Sequence, residues 1–136
     1  MSQHDLTCHY SDEKHKCNET ALASGYCYWH DPSIIKDKPD DVTNLEKYAR
    51  SGGLLRGISL KHAKLVGLNL VNHDSKIGFD LSHADFYRAD LTNAHLFNTC
   101  FTKASLMKAN LKNANLHCAD LRDCNLLGIR LHGARI

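Results

Sequence analysis

Three cysteines and one histidine near the start of the chain are the residues best suited to chemistry. They run Cys8-x8-Cys17-x9-Cys27-x2-His30, ending in Gly25-Tyr26-Cys27-Tyr28-Trp29-His30-Asp31-Pro32. Thiolate sulfur and imidazole nitrogen are donors that zinc prefers, and three sulfurs with one nitrogen complete a tetrahedral set. Cys27 and His30 have the short spacing of a chelating turn, whereas Cys8 and Cys17 are spaced to arrive from separate loops. His4, His9 and His15 are alternative fourth ligands with less convincing spacing. A full set of four leaves no open position for water, so the expected cofactor is structural zinc. A segment of roughly thirty residues buries little core, and metal binding would supply the missing folding free energy.

The elements that position this cluster are announced by a repeat. From Leu81 to Ile136 every fifth residue is Leu, Ile or Phe. Two positions before it stands a small or apolar residue, usually Ala (Ala84, Ala89, Ala94, Ala104, Ala109, Ala114, Ala119), and between the two usually Asp or Asn. Leu55, Leu60, Leu65 and Leu70 keep the same spacing. The step from Leu70 to Leu81 is eleven, which reads as two repeats with one extra residue in Val71–Asp80, as a bulge or loop.

A period of five suits neither regular element. On a helix it precesses by about 140° per repeat and marks no face. On a flat strand an odd period alternates between faces. The residue pair at i−2 and i can point the same way on a short extended piece. A bend must follow each piece, and Asn and Asp suit bends through local side-chain hydrogen bonds. The outcome is a coil with a dry Leu/Ala interior and a polar skin.

Ala84-Asp85-Phe86-Tyr87-Arg88, Ala89-Asp90-Leu91-Thr92-Asn93 and Ala109-Asn110-Leu111-Lys112-Asn113 resemble the pentapeptide-repeat family. The resemblance covers about residues 53–136. It implies an all-β solenoid, a right-handed quadrilateral β-helix with four pentapeptides to a coil and about four coils. Residues twenty apart would then stack. After the one-residue slip, Val66, Tyr87, Met107 and Leu127 form an outer apolar ladder beside Gly67, Arg88, Lys108 and Gly128. Val66, Tyr87, Met107 and Leu127 with Arg88 and Lys108 are therefore a candidate interface. Some pentapeptide-repeat proteins resemble this chain further in carrying a small Cys/His module in front.

Three units are expected: a Cys3His module over 1–33, a linker and capping helix over 34–52, and the solenoid over 53–136. Pro39-Asp40-Asp41 reads as a helix start, Val42, Leu45, Tyr48 and Ala49 as its apolar stripe, and Gly52-Gly53 as its end. Solenoids need such end caps. At the other end a coil bearing Leu121, Leu126 and Leu131 would be exposed, and pairing of two copies there would give a homodimer. Cys124 falls at a small inward position, and Cys100 and Cys118 at turn or outer ones, so no second metal site is expected.

Hydrophobic residues make up 43% and charged residues 24% of the 136, as in a folded globular protein. No apolar run approaches the ~18 residues that span a bilayer, and the start lacks a secretory pattern, so a cytoplasmic protein without a membrane partner is expected. Residues 1–52 carry 6 Lys/Arg and 9 Asp/Glu, a net of −3; residues 53–136 carry 11 and 6, a net of +5. No nucleophile elbow, phosphate loop or paired-carboxylate scaffold is present, which argues against an enzyme. The leading reading is a non-catalytic interaction or scaffold protein with an unidentified protein partner. The resemblance offers a second, since some family members mimic duplex DNA and bind and protect type II topoisomerases such as gyrase. Such mimicry wants a long acidic rod, and this one is short and net positive. A third is direct nucleic-acid binding through Arg88, Lys103, Lys108, Lys112, Arg122, Arg130 and Arg135; interspersed Asp residues weigh against it.

Overall fold

The structure is a computed structural model, and residues 6–136 are described below. His4, an alternative zinc ligand by sequence, lies outside them. The second half of the chain winds as a solenoid. Its coils are centred on Leu81, Phe86, Leu91 and Leu96, then Phe101, Leu106, Leu111 and Leu116, then Leu121, Leu126, Leu131 and Ile136. Parallel bridges join residues twenty apart in four columns: Asp80, Cys100, Asp120; Asp85, Ser105, Asn125; Asp90, Asn110, Arg130; and His95, Asn115, Arg135. Four columns make a four-sided coil.

Each corner has the same chemistry. The carbonyl of the central residue accepts from the N–H three residues on, as Phe86 does from Ala89 at 2.9 Å and Leu106 from Ala109 at 3.0 Å. The third residue of that turn takes a positive φ, 54° at Arg88 and 58° at Lys108, which defines a type II turn. The Asp or Asn ahead of the centre accepts from the N–H two residues later: Asp85 from Tyr87 at 2.9 Å, Asn110 from Lys112 at 3.0 Å. That local bond is why the repeat prefers Asp and Asn there. The central Leu and Phe side chains and the preceding Ala residues fill the interior; from Leu81 to Ala114 they are at most 2% exposed.

The first coil, centred on Leu55, Leu60, Leu65 and Leu70, corrects the expected register. Leu60 N–H donates to Asp85 O, Leu65 to Asp90 O and Leu70 to His95 O. These partners lie about one coil plus six residues on, and Ser59 bridges Asp85, 26 positions away. Residues 71–80 therefore hold six extra residues, not one. A second repeat there would need an apolar centre near position 75, where Ser75 and Lys76 stand. The loop folds back through Asn72 and through Asn98, whose Nδ2 donates to Lys76 O at 2.8 Å. Gly78 lies so close to the Asn98 carbonyl that a Cβ would collide with it.

The helix α1, Asp41–Arg50, seats Leu45, Tyr48 and Ala49 over the first coil. Val42 is only partly buried, and Asp41 is buried instead. Its carboxylate accepts from Tyr28 Oη at 2.7 Å and from Lys38 N–H at 2.9 Å. Residues 34–39, the linker part of the expected 34–52 unit, are packed: Lys36 is buried, and Lys36 O accepts from Lys64 N–H at 3.0 Å. Ser59 N–H donates to Trp29 O at 2.8 Å, and Asn69 N–H to Glu46 Oε2 at 2.7 Å. Three columns of the first coil thus meet acceptors above them, as if another coil were present. In the last coil burial falls away, with Leu126 37% and Ile136 71% exposed.

Candidate metal centre

Cys8, Cys17 and Cys27 are tied into place by the loops that carry them. Cys8 N–H donates to Glu19 O at 2.8 Å, and Cys17 N–H to Tyr10 O at 3.1 Å. Asp31 N–H donates to Cys27 O at 3.0 Å, closing the turn that brings His30 beside Cys27. The four side chains are buried, and their donor atoms all lie within 4.8 Å of one another. Cys17 Sγ is 3.9 Å from Cys27 Sγ, and Cys27 Sγ is 3.2 Å from His30 Nδ1. A zinc tetrahedron with sulfur arms of about 2.3 Å has S–S edges of about 3.8 Å. The donor set fits that geometry, and all three cysteines are free thiols.

The histidine is oriented from the solenoid. His30 Nε2 donates to Arg56 O at 2.8 Å, which leaves Nδ1 with its lone pair toward the sulfurs. The Tyr10 ring stacks on His30 with centroids 4.4 Å apart and planes 12° from parallel. Gly57 makes room, since a Cβ there would run into the Tyr10 ring. Arg56 Nε meets Asp12 Oδ2 at 2.8 Å and its Nη1 meets Asp80 Oδ2 at 3.0 Å. Arg56 therefore links the module, the first coil and the end of the inserted loop. His9 packs edge-on to Tyr26 and His15 pairs with Asp12, so neither joins the sulfurs.

Burial sets the protonation states. It pushes the Cys27 thiol up to about 12 and raises Cys17, so without a cation both hold their protons. Burial also lowers His30, keeping its imidazole neutral and able to donate an electron pair. Lys36 is fully buried, with Nζ donating to Asp31 O at 2.8 Å and lying 5.5 Å from the Tyr28 ring centre. Burial draws it down to about 8, against the pull of Asp31 and Cys27. Neither Arg56 nor Lys36 stands out in the sequence. The repeat offers one usable hint: Arg56 follows the first central leucine and so lies at the outer edge of the first coil.

The remaining cysteines are separate from the cluster. Cys124 is partly buried and donates to Phe101 O at 2.7 Å; Cys100 lies between Ser82 and Thr102; Cys118 is exposed. The six-residue insertion also rearranges the outer ladder. His62 N–H donates to Tyr87 O, so Lys61 rather than Val66 stands over Tyr87, and His62 rather than Gly67 over Arg88. The Lys61, Tyr87, Met107, Leu127 column is half apolar, with Leu127 68% exposed. Val66 belongs to the next corner, above Thr92.

The Pentapeptide repeats family model matches residues 77–113, 89–128 and 114–136. Residues 77–136 are thus similar to pentapeptide repeats in sequence, and the fold is similar as well. The first coil continues the pentapeptide-repeat pattern upstream of the matched residues. Among solved structures, the pentapeptide repeat protein AT2G44920 from the Arabidopsis thaliana thylakoid lumen is 28% identical, with a TM-score of 0.53 over 59% of this chain and 51% of that one. This chain thus spans about half the length of that relative. The pentapeptide repeat protein alr5209 from Nostoc Pcc 7120 is 25% identical over 76% of this chain and 77% of that one, with a TM-score of 0.35. QnrB1, a plasmid-mediated fluoroquinolone resistance protein, is 17% identical over 59% of this chain and 54% of its own, with a TM-score of 0.37. The pentapeptide-repeat likeness carries with it a right-handed β-helix. A search of curated proteins returns no match. No helix among the described residues is long and apolar enough to cross a membrane.

Proposed function

We propose that this chain is a non-catalytic interaction scaffold, a short pentapeptide-repeat rod closed at its upper end by a zinc-held cap. The observation that carries this reading is the continuity between the Cys8, Cys17, Cys27, His30 cluster and the first coil, through His30 to Arg56 O. A buried four-donor site coupled to a solenoid end has a structural purpose, fixing the cap that ends the repeat. The rod then offers rigid, flat outer faces. Thiolate ligation suits a reducing compartment, so we place the protein in the cytoplasm. A DNA-mimic role at a topoisomerase is disfavoured by the +5 charge of residues 53–136.

Metal content per chain tests the cap, on protein purified without chelator. The expected result is one zinc per chain, lost in Cys27→Ser. Protein free of metal, with Cys8, Cys17 and Cys27 reacting with a thiol reagent as fast as free cysteine, overturns it.

A further inference from the structure

The net positive charge of the rod is concentrated on one side. The column Lys64, Asp90, Asn110, Arg130 runs down the middle of this face. Arg88 and Lys108 stand at its leading corner, and Lys112 at its trailing corner. Lys64, Arg88, Lys108, Lys112 and Arg130 are all exposed, and Asp90 is the only acidic group among them. These five cations with Asp90 make a net of +4, to which Lys61, above Tyr87 at the leading corner, adds one more. Among the described residues none of the five cations forms an ion pair. Arg88 and Lys108 occupy stacked corners of adjacent coils, about 5 Å apart, where like charges repel. A shallow depression opens between them and Arg130, because Gly128, stacked beneath Lys108, has no side chain to fill it.

Resting on the scaffold reading, we propose that this face docks an acidic polypeptide segment of a partner protein, with an apolar side chain seated beside Met107 and Leu127. Charge complementarity supplies the orientation, and five exposed cations on a flat wall match several carboxylates at once. The apolar half-ladder at the leading corner gives the anchor that a charged face lacks. A phosphate backbone is the poorer occupant. Asp90 lies in the centre of the face, and the Tyr87 ring is already covered by Arg88, 5.5 Å from its centre, and by the edge-on His62. No open aromatic face is left there for stacking a base.

Fluorescence anisotropy on the full zinc-loaded chain tests this, with three probes at low salt. They are a labelled twelve-residue peptide of alternating Glu/Asp and Leu/Phe, the same peptide with Ser for Leu/Phe, and a twenty-base-pair DNA duplex. The first peptide should bind at least about tenfold tighter than the duplex and several-fold tighter than its Ser version. Arg88→Glu with Lys108→Glu should weaken it at least about tenfold, while Lys103→Glu with Arg135→Glu, equal in charge but on other faces, should change it less than about twofold. Peptide binding that both double variants weaken equally, or neither weakens, removes this face while leaving a protein-binding rod. Duplex binding tighter than either peptide removes the scaffold reading as well. No binding of any probe below millimolar concentration also overturns the proposal.

Discussion

The two halves of the molecule reach order by opposite routes. From Leu55 onward one rule recurs: an inward pair, an Asx-stabilised type II turn, and a bridge to the coil below. Each coil bonds mainly to the coils directly above and below it, so damage to one stays close to it. The first half repeats nothing. Cys8, Cys17, Cys27 and His30 converge once, Asp12 reaches across to Arg56 of the first coil once, and Lys36 is buried once. Stability there rests on a few contacts that depend on one another. Periodic structure spreads risk, whereas a cross-linked cap concentrates it.

Five measurements break or sharpen that contrast. The largest effect is expected from removing the metal or from Cys27→Ser. Trp29 and Tyr48, stacked at 5.8 Å, should lose their near-ultraviolet signal, while amide exchange stays slow in the middle of the rod, at Leu91, Leu106 and Leu111. Exchange that accelerates equally along the whole chain would erase the distinction. Next comes Leu106→Ala, which opens a cavity in a fully buried coil and should cost about 2–5 kcal/mol by denaturant titration. The same change at Leu126, 37% exposed, should cost less than half as much. Equal losses would mean that the last coil is covered in solution.

Smaller effects probe the junction. Glu46→Ala leaves Asn69 N–H without its carboxylate and should cost about 1.5 kcal/mol, read as a shift of the unfolding midpoint. The Asp12 carboxyl is held below its ordinary range, foremost by the hydrogen bond from Arg56. Its contribution is therefore present above about pH 4 and is lost as pH falls toward the folded value. Asp12→Asn should remove that part of the acid dependence, and an unchanged acid limb would separate the cap from Arg56. The least effect is expected from Lys103→Gly. Lys103 holds a φ of 62°, and glycine there should stabilise by about 0.5 kcal/mol once its greater freedom in the unfolded chain is subtracted.

The solenoid and the four donors are legible because both are written in residue types at fixed spacing. The leucines and alanines reveal the coil, and the Cys27–His30 spacing reveals two side chains that come together. The insertion at 71–80 is misjudged from spacing alone because a step of eleven equals two repeats and one residue, or one repeat and six. Ser75 and Lys76, polar where a centre must be apolar, hold the answer. The seating of 34–39 is hidden for another reason. Trp29 and Lys36 serve the first coil with backbone carbonyls, which have no residue type. The burial of Lys36 contradicts its own side-chain chemistry and follows only from what surrounds it.

The three acceptors above the first coil have a further consequence. A solenoid edge with free N–H groups is a growing end, ready to add any chain that can extend alongside it. Trp29 O, Lys36 O and Glu46 Oε2 occupy the sites at which such addition would start. The cap thus sits where a chain terminator would, and opening it would leave the first coil as a seed for polymerisation.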